Sequence, residues 1–310
     1  MTKDILTIAV VNFNAVWGDK ACNLKRMAEY AHAAGKRGAD MIVFPENALS
    51  GYDDDTEHSV RAEKMQVKLA ETIPGSATEC LSAVAQKHEM YIVFGMPEQD
   101  AEDASVVYNS AAIIYPDGRT DSYRKLHLPF AEGNWAVRGN DPVMIDTPWG
   151  PVGITICYDT YCFPELIRYY RAKGARLCLN VTACPDAECT RVAARMTIPT
   201  YAMTNYMFIA SANLCGFDKT SYFHGGSCVV GPRKNPRGAG EPCTYIGKMF
   251  DEDGSDNQEM FLGTIDLHMA DVNTDIPIYS VNPGIGEPDF RPEMYLRMQE
   301  DLLKSGQWKK

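Results

Sequence analysis

Strand-like and helix-like hydrophobic periods alternate along this chain, and that alternation limits its fold more than any other feature. Ile5 to Asn12 reads ILTIAVVN, a β-branched apolar run. After a polar turn, Leu24, Met27, Ala31 and Ala34 fall on one helical face, and Gly38 supplies a stop. Met41-Ile42-Val43-Phe44 then returns to the strand pattern. The cycle repeats as a helix near Ser76 to Glu89, a strand at Tyr91 to Phe94, a helix near Phe163 to Ala172 and a strand at Leu177 to Val181. Strands and helices in turn imply a layered α/β fold, because each sheet face has to be covered.

Hairpins are interleaved with these units. Asn109 to Tyr115 meets Asp121 to Leu126 across Pro116-Asp117-Gly118-Arg119, and Val143 to Thr147 meets Val152 to Cys157 across Pro148-Trp149-Gly150-Pro151. The sheets are therefore expected to be mixed. With 310 residues, 45% of them hydrophobic and 23% charged, the chain can bury a substantial core. Without a repeat or a convincing linker, a single domain over residues 1–310 is the simpler expectation, with an extension from about Asn282. The Gly/Pro-rich stretch from Pro232 to Pro242 reads as a long surface loop.

Acidic residues outnumber basic ones 41 to 30, giving a net charge of -11. With no long basic run, this argues against nucleic acid and anionic lipid as partners and favours a small-molecule substrate. The ten cysteines are scattered along a long chain, so they are expected to be reduced thiols rather than a disulfide framework. Cys178, Cys184 and Cys189 cluster, but they form no C-x-x-C pair and no histidine stands at ligand spacing, so no metal is expected. Nor does any apolar stretch approach the roughly 18 residues of a membrane span. Met1-Thr2-Lys3-Asp4 leads straight into a strand-like segment without a signal-peptide pattern, and a cytoplasmic location is the expectation.

Three chemically potent residues stand where strand-like segments end. Glu46 follows Met41-Ile42-Val43-Phe44-Pro45, Lys125 follows Ser122-Tyr123-Arg124, and Cys157 closes Val152-Gly153-Ile154-Thr155-Ile156. Ligand sites of layered α/β proteins gather at strand ends, so the three can converge. Their chemistry would be coherent: a desolvated carboxylate as base, a thiol as nucleophile and an ammonium to hold an oxyanion. Each also has an ordinary reading, as a solvated loop carboxylate, a surface lysine and an inert buried thiol.

The motifs around these residues decide between the two. Phe44-Pro45-Glu46, Tyr123-Arg124-Lys125-Leu126-His127-Leu128, and Ile156-Cys157-Tyr158-Asp159 with Phe163-Pro164-Glu165 resemble the three signature blocks of the nitrilase superfamily of carbon-nitrogen hydrolases. Ala212-Asn213-Leu214-Cys215-Gly216, Phe223-His224-Gly225-Gly226-Ser227 and Phe290-Arg291-Pro292-Glu293-Met294-Tyr295 resemble its remaining landmarks, in order. The resemblance implies a four-layer αββα sandwich with two mixed β-sheets, and a homodimer or higher homo-oligomer. It also implies a Glu46-Lys125-Cys157 triad acting on a linear amide or ureido substrate without a cofactor. Glu132, in Phe130-Ala131-Glu132-Gly133-Asn134-Trp135, resembles the second glutamate of the amide-cleaving branches. By the same analogy Tyr52, Asn134, Trp135, Tyr158, Thr182 and Ala183 would line the substrate pocket.

Cys157-Tyr158-Asp159 resembles the amidase and carbamoylase branches, whereas true nitrilases of the family carry Cys-Trp-Glu. A nitrile substrate, or a catalytically silent binding member of the family, is the alternative. The chain departs from the family in two places. An extra residue and no arginine separate Cys157 from Phe163, and Tyr201-Ala202-Met203-Thr204-Asn205 lacks the charges of the corresponding family segment. Arg191 and Arg195, one helical turn apart, are candidates for a substrate carboxylate, set against the commoner fate of solvated helix arginines.

Overall fold

The computed structural model describes residues 2–234, 240–250, 252–272, 278–279 and 281–309. In chain order, the first half runs β1 (Ile5–Val11), α1 (Lys20–Lys36), β2 (Met41–Val43), α2 (Met65–Leu69), α3 (Ser76–His88), β3 (Tyr91–Gln99), β4 (Val107–Ile114) and β5 (Thr120–Arg124). The second half runs β6 (Met144–Thr147), β7 (Gly150–Ile156), α4 (Tyr158–Cys162), α5 (Pro164–Ala172), β8 (Leu177–Thr182), α6 (Glu188–Thr204) and β9 (Phe208–Asn213). It continues through β10 (Cys215–Phe217), β11 (Tyr222–His224), β12 (Cys228–Lys234), β13 (Gly240–Gly247), β14 (Met260–Asp266) and α7 (Met269–Val272).

Two six-stranded sheets result, in the orders β14-β1-β2-β3-β4-β5 and β13-β12-β9-β8-β7-β6. Both are mixed, as the interleaved hairpins require. The neighbours β1, β2 and β3 are parallel in the first sheet, as are β7, β8 and β9 in the second, and the outer pairings are antiparallel. Three apolar clusters show how the layers stack. Between the sheets, Leu6, Ile8, Val10 and Val93 of one meet Ile154, Ile156, Leu179 and Ala210 of the other. On the outer face of the first sheet, Ala9, Ile42, Ile92 and Phe94 pack under Met27 and Ala31 of α1 and Leu81 and Val84 of α3. On the outer face of the second, Cys178 and Ile209 pack under Ile167 and Tyr170 of α5 and Ile198 and Ala202 of α6. The order of layers is helix, sheet, sheet, helix, the αββα sandwich.

Burial on both sheet faces explains why β7, β8 and β9 read as continuous apolar runs rather than as alternating ones. Gly153 in the middle of β7 follows from the packing above it, since a Cβ there would come 2.4 Å from the Tyr170 ring. The Tyr170 hydroxyl in turn donates to the Ile154 carbonyl at 2.8 Å. The Pro232 to Pro242 segment is a correction: Pro232 and Pro242 are paired residues of the β12–β13 hairpin, whose ladder extends to Lys234 and Gly240. Only 235–239 within that loop expectation lie outside the described residues.

Contacts partition the chain into Met1–Asn273 and Thr274–Lys310. The second unit carries helix α8 (Pro292–Ser305), which has proline in its first turn and Gly306 in the left-handed conformation at its end. Among the described residues no helix is long and apolar enough to cross a membrane.

Candidate active site

Glu46, Lys125 and Cys157 stand just beyond the C-terminal ends of β2, β5 and β7, so the two facing sheets present them to one region. The Glu46 loop lies tightly on β3. A Cβ on Gly95 would sit 2.3 Å from the Asn47 nitrogen and 2.4 Å from the Glu46 Cα, so only glycine admits that approach. Phe44 N–H donates to Val93 at 2.8 Å, and Glu46 N–H to Thr182 at 3.3 Å, which ties the loop to both sheets. Lys125 is held by its own backbone, donating to the Asn109 carbonyl at 2.8 Å and accepting from Gly139 N–H at 2.8 Å.

Cys157 ends the apolar strand at a sharp turn with φ 46 and ψ -98. Positive φ in a residue with a Cβ is costly and marks a backbone that its surroundings hold in place. Cys157 N–H is fixed by Val181 O at 3.0 Å and Asn180 Oδ1 at 3.2 Å. The side chain is buried, only 8% exposed. Tyr158 opens α4 immediately afterwards, so its N–H lies at the helix start, outside the helical ladder.

At the centre is the Lys125 ammonium, wholly buried, donating to Glu46 Oε1 at 2.7 Å and to Glu132 Oε1 at 2.7 Å. Asn109 bridges the same two carboxylates, its Nδ2 donating to Glu46 Oε1 at 2.8 Å and Glu132 Oε2 at 3.1 Å. Tyr52 Oη donates to Glu132 Oε1 at 2.6 Å, and Ala183 N–H to Glu46 Oε2 at 2.9 Å. Two carboxylates and one ammonium leave a net negative charge in a dry place. Burial accordingly pushes the Glu46 carboxyl up; Lys125 pulls it back, Glu132 pushes again, and the result is about 7.

The other groups respond to the same field. Burial alone would push the Lys125 ammonium down, but Glu132 and Glu46 outweigh it and hold the group protonated above the ordinary lysine range. Burial, then Glu46, push the Cys157 thiol well up against the opposing pull of Lys125. The Thr182 hydroxyl, buried and without a hydrogen-bond partner of normal geometry, is close enough to favour the thiolate. The resting state is therefore a protonated thiol near a carboxylate that changes charge around neutrality. That is the arrangement a general base and its nucleophile require.

Of the residues expected in the site, the structure gathers Glu46, Lys125, Glu132, Cys157, Tyr52, Thr182 and Ala183. It places Trp135 and Asn134 differently. Trp135 is 1% exposed and packs with Val107 and Ala136 in a small separate cluster, so it builds the core beneath the Glu132 turn. Asn134 turns outward to Asp54 Oδ2 at 3.3 Å, and Tyr158 lies edge-on against Phe163. Arg191 pairs with Asp186, and both line a surface cavity of about 400 Å³ with Glu188, Val192 and Arg195. Asn109 and Asn180 went unnoticed in the sequence. Their signal is an amide inside a buried apolar strand, where an unpaired polar group would be expensive.

Residues 7–235 match the family model for carbon-nitrogen hydrolases. The chain is 30% identical over 277 residues to the omega-amidase NIT2 of Xenopus tropicalis, covering 84% of this chain and 88% of that protein. It is 30% identical over 231 residues to a nitrilase of Pyrococcus abyssi, covering 74% and 82%. A solved mutant of the Nesterenkonia AN1 amidase superposes with a TM-score of 0.68 at 25% identity, covering 89% of this chain and 95% of that one.

Proposed function

Because the chain belongs to the carbon-nitrogen hydrolase family of the nitrilase superfamily, we propose that it cleaves a non-peptide C–N bond of a small linear amide or N-carbamoyl compound through a thioester on Cys157. The observation that carries this reading is the buried Lys125 ammonium shared between Glu46 and Glu132 beside the Cys157 turn. A buried ion triad of this kind is a poor way to gain stability, since apolar residues of the same volume would serve as well. It is a good way to hold a base near neutrality and a fixed positive charge in one place.

Glu46 takes the Cys157 proton as sulfur attacks the carbonyl carbon. The developing oxyanion is held by the Lys125 ammonium and the Tyr158 N–H. Glu46 then returns the proton to the leaving nitrogen, the C–N bond breaks, and ammonia or an amine departs from the thioester. In the second half Glu46 takes a proton from water, hydroxide adds to the thioester carbon, the C–S bond breaks and the thiol is restored. Glu132 keeps Lys125 in position and, with Tyr52 and Asn109, offers acceptor and donor groups to the substrate.

Tyr158 and Asp159 after the nucleophile support an amide or ureido substrate. The kinship to a protein called a nitrilase supports a nitrile as the second reading. Incubation with a panel of primary amides, N-carbamoyl compounds and nitriles, following ammonia and carbon dioxide, separates them. Ammonia with carbon dioxide marks a carbamoylase, and ammonia alone from amides marks an amidase. Turnover of nitriles alone would overturn the amide reading, and turnover of none would favour a silent binding member. The proposal extends to a homo-oligomer working in the cytoplasm, which gel filtration and cell fractionation test.

A further inference from the structure

Asp159, two residues past the nucleophile, is fully buried, and its carboxylate reaches back to the other sheet. Its Oδ2 accepts from Tyr123 Oη at 2.7 Å and, at a longer 3.4 Å, from Leu126 N–H. Its Oδ1 accepts from His127 N–H at 2.9 Å and His127 Nδ1 at 2.7 Å. These donors bracket Lys125 on both sides. One carboxylate on the turn that carries Cys157 thus grips the segment that carries Lys125, although the two belong to different sheets. A second tie follows at the far end of α4, where the His127 ring stacks on Phe163 with centroids 3.4 Å apart and planes 7° apart.

We propose that Asp159 is a positioning residue that sets the register between the Lys125 ammonium and the Cys157 thiol. The inference rests on the reading of these two as the reacting pair. A carboxylate that accepts on both oxygens fixes direction as well as distance, which a group with one acceptor atom cannot do. Burial, with Asp159 next, pushes the Tyr123 hydroxyl far above the ordinary tyrosine range, so it stays a donor at every working pH. An apolar residue would fill the same volume but would let the Lys125 segment slide along the sheet interface. An asparagine could keep the two His127 bonds, but its amino group cannot accept from Tyr123 Oη and Leu126 N–H.

The test compares Asp159→Asn and Tyr123→Phe with Tyr245→Phe, a half-buried tyrosine of β13 whose hydroxyl donates to the Pro232 carbonyl at 2.9 Å. Steady-state kinetics, Tm and the rate of iodoacetamide labelling at Cys157 as a function of pH are measured on each. Asp159→Asn is expected to lower kcat roughly 100-fold with KM little changed, because a misplacement near 1 Å costs about that much. It should also slow Cys157 labelling and move its pH profile. Tyr123→Phe, which keeps the Asp159 carboxylate, should shift both readouts the same way by about tenfold, whereas Tyr245→Phe should lower Tm and leave kcat intact. Wild-type kcat and labelling per folded molecule in Asp159→Asn would overturn the inference, whatever happened to Tm. If that variant does not fold, unchanged kcat and labelling in Tyr123→Phe overturn it instead. Cys157→Ala with full turnover would overturn the site reading and this inference with it, so the two failures are distinguishable.

Discussion

Replacing Glu46 by glutamine should change the pH dependence of the reaction before anything else. With the carboxyl at about 7 rather than 4.5, kcat/KM should rise with pH and reach half its plateau near neutrality. The sign follows from the charge: the base works only when ionised, and burial beside Glu132 disfavours ionisation. At pH 6 wild-type activity should be about one-tenth of the plateau, whereas a carboxylate at its ordinary pKa would already give more than about nine-tenths. Glu46→Gln keeps the shape and one acceptor for Lys125, but no base. The plateau should fall about 10²- to 10⁴-fold and the limb near pH 7 should vanish from what remains. The assay is ammonia release from a good amide between pH 5 and 9, with Tm measured at each pH. A wild-type limb near pH 4.5, or a glutamine variant that keeps the limb near 7, would refute the assignment of Glu46 as the base.

Lys125→Met should lose about 10²- to 10³-fold in kcat and should also destabilise the fold by about 3–5 kcal/mol, because Glu46 and Glu132 are left buried without their cation. Kinetics and urea denaturation read the two effects separately. Tyr52→Phe removes the 2.6 Å bond to Glu132 and should cost about 1–3 kcal/mol, seen as a roughly 5- to 160-fold loss in kcat/KM with the pH limb unmoved. Gly153→Ala should lower stability by about 1–3 kcal/mol through the clash with Tyr170, and Tm recovery in a Gly153→Ala, Tyr170→Leu double variant would check the cause.

The layered α/β class was legible in the alternation of hydrophobic periods, and the strand ends that carry Glu46, Lys125 and Cys157 lay where that pattern put them. Periodicity could not show that these ends meet, because convergence depends on how two sheets stack. That expectation came from the motif blocks. Glu132 became assignable through the Phe130-to-Trp135 segment, yet the same segment misdirected Trp135 and Asn134. In a short 3-10 turn consecutive side chains point in different directions, so motif neighbours need not share a pocket. The Pro232–Pro242 stretch misled because three prolines and two glycines look like a loop. In the structure Pro232 and Pro242 face each other across a hairpin at the edge of the second sheet, where a missing N–H is tolerated. The roles of Asn109, Asn180 and Asp159 come from pairings across large sequence separations, which a local window does not reveal.

The central claim is that an acyl group passes through Cys157, and trapping it is the most direct test. The wild-type protein mixed with a primary amide, quenched in acid within the first turnovers and digested, should show the thioester mass on the peptide containing Cys157. Cys157→Ala should show neither the adduct nor turnover. An adduct on another of the ten cysteines, or steady hydrolysis by Cys157→Ala, would contradict the account.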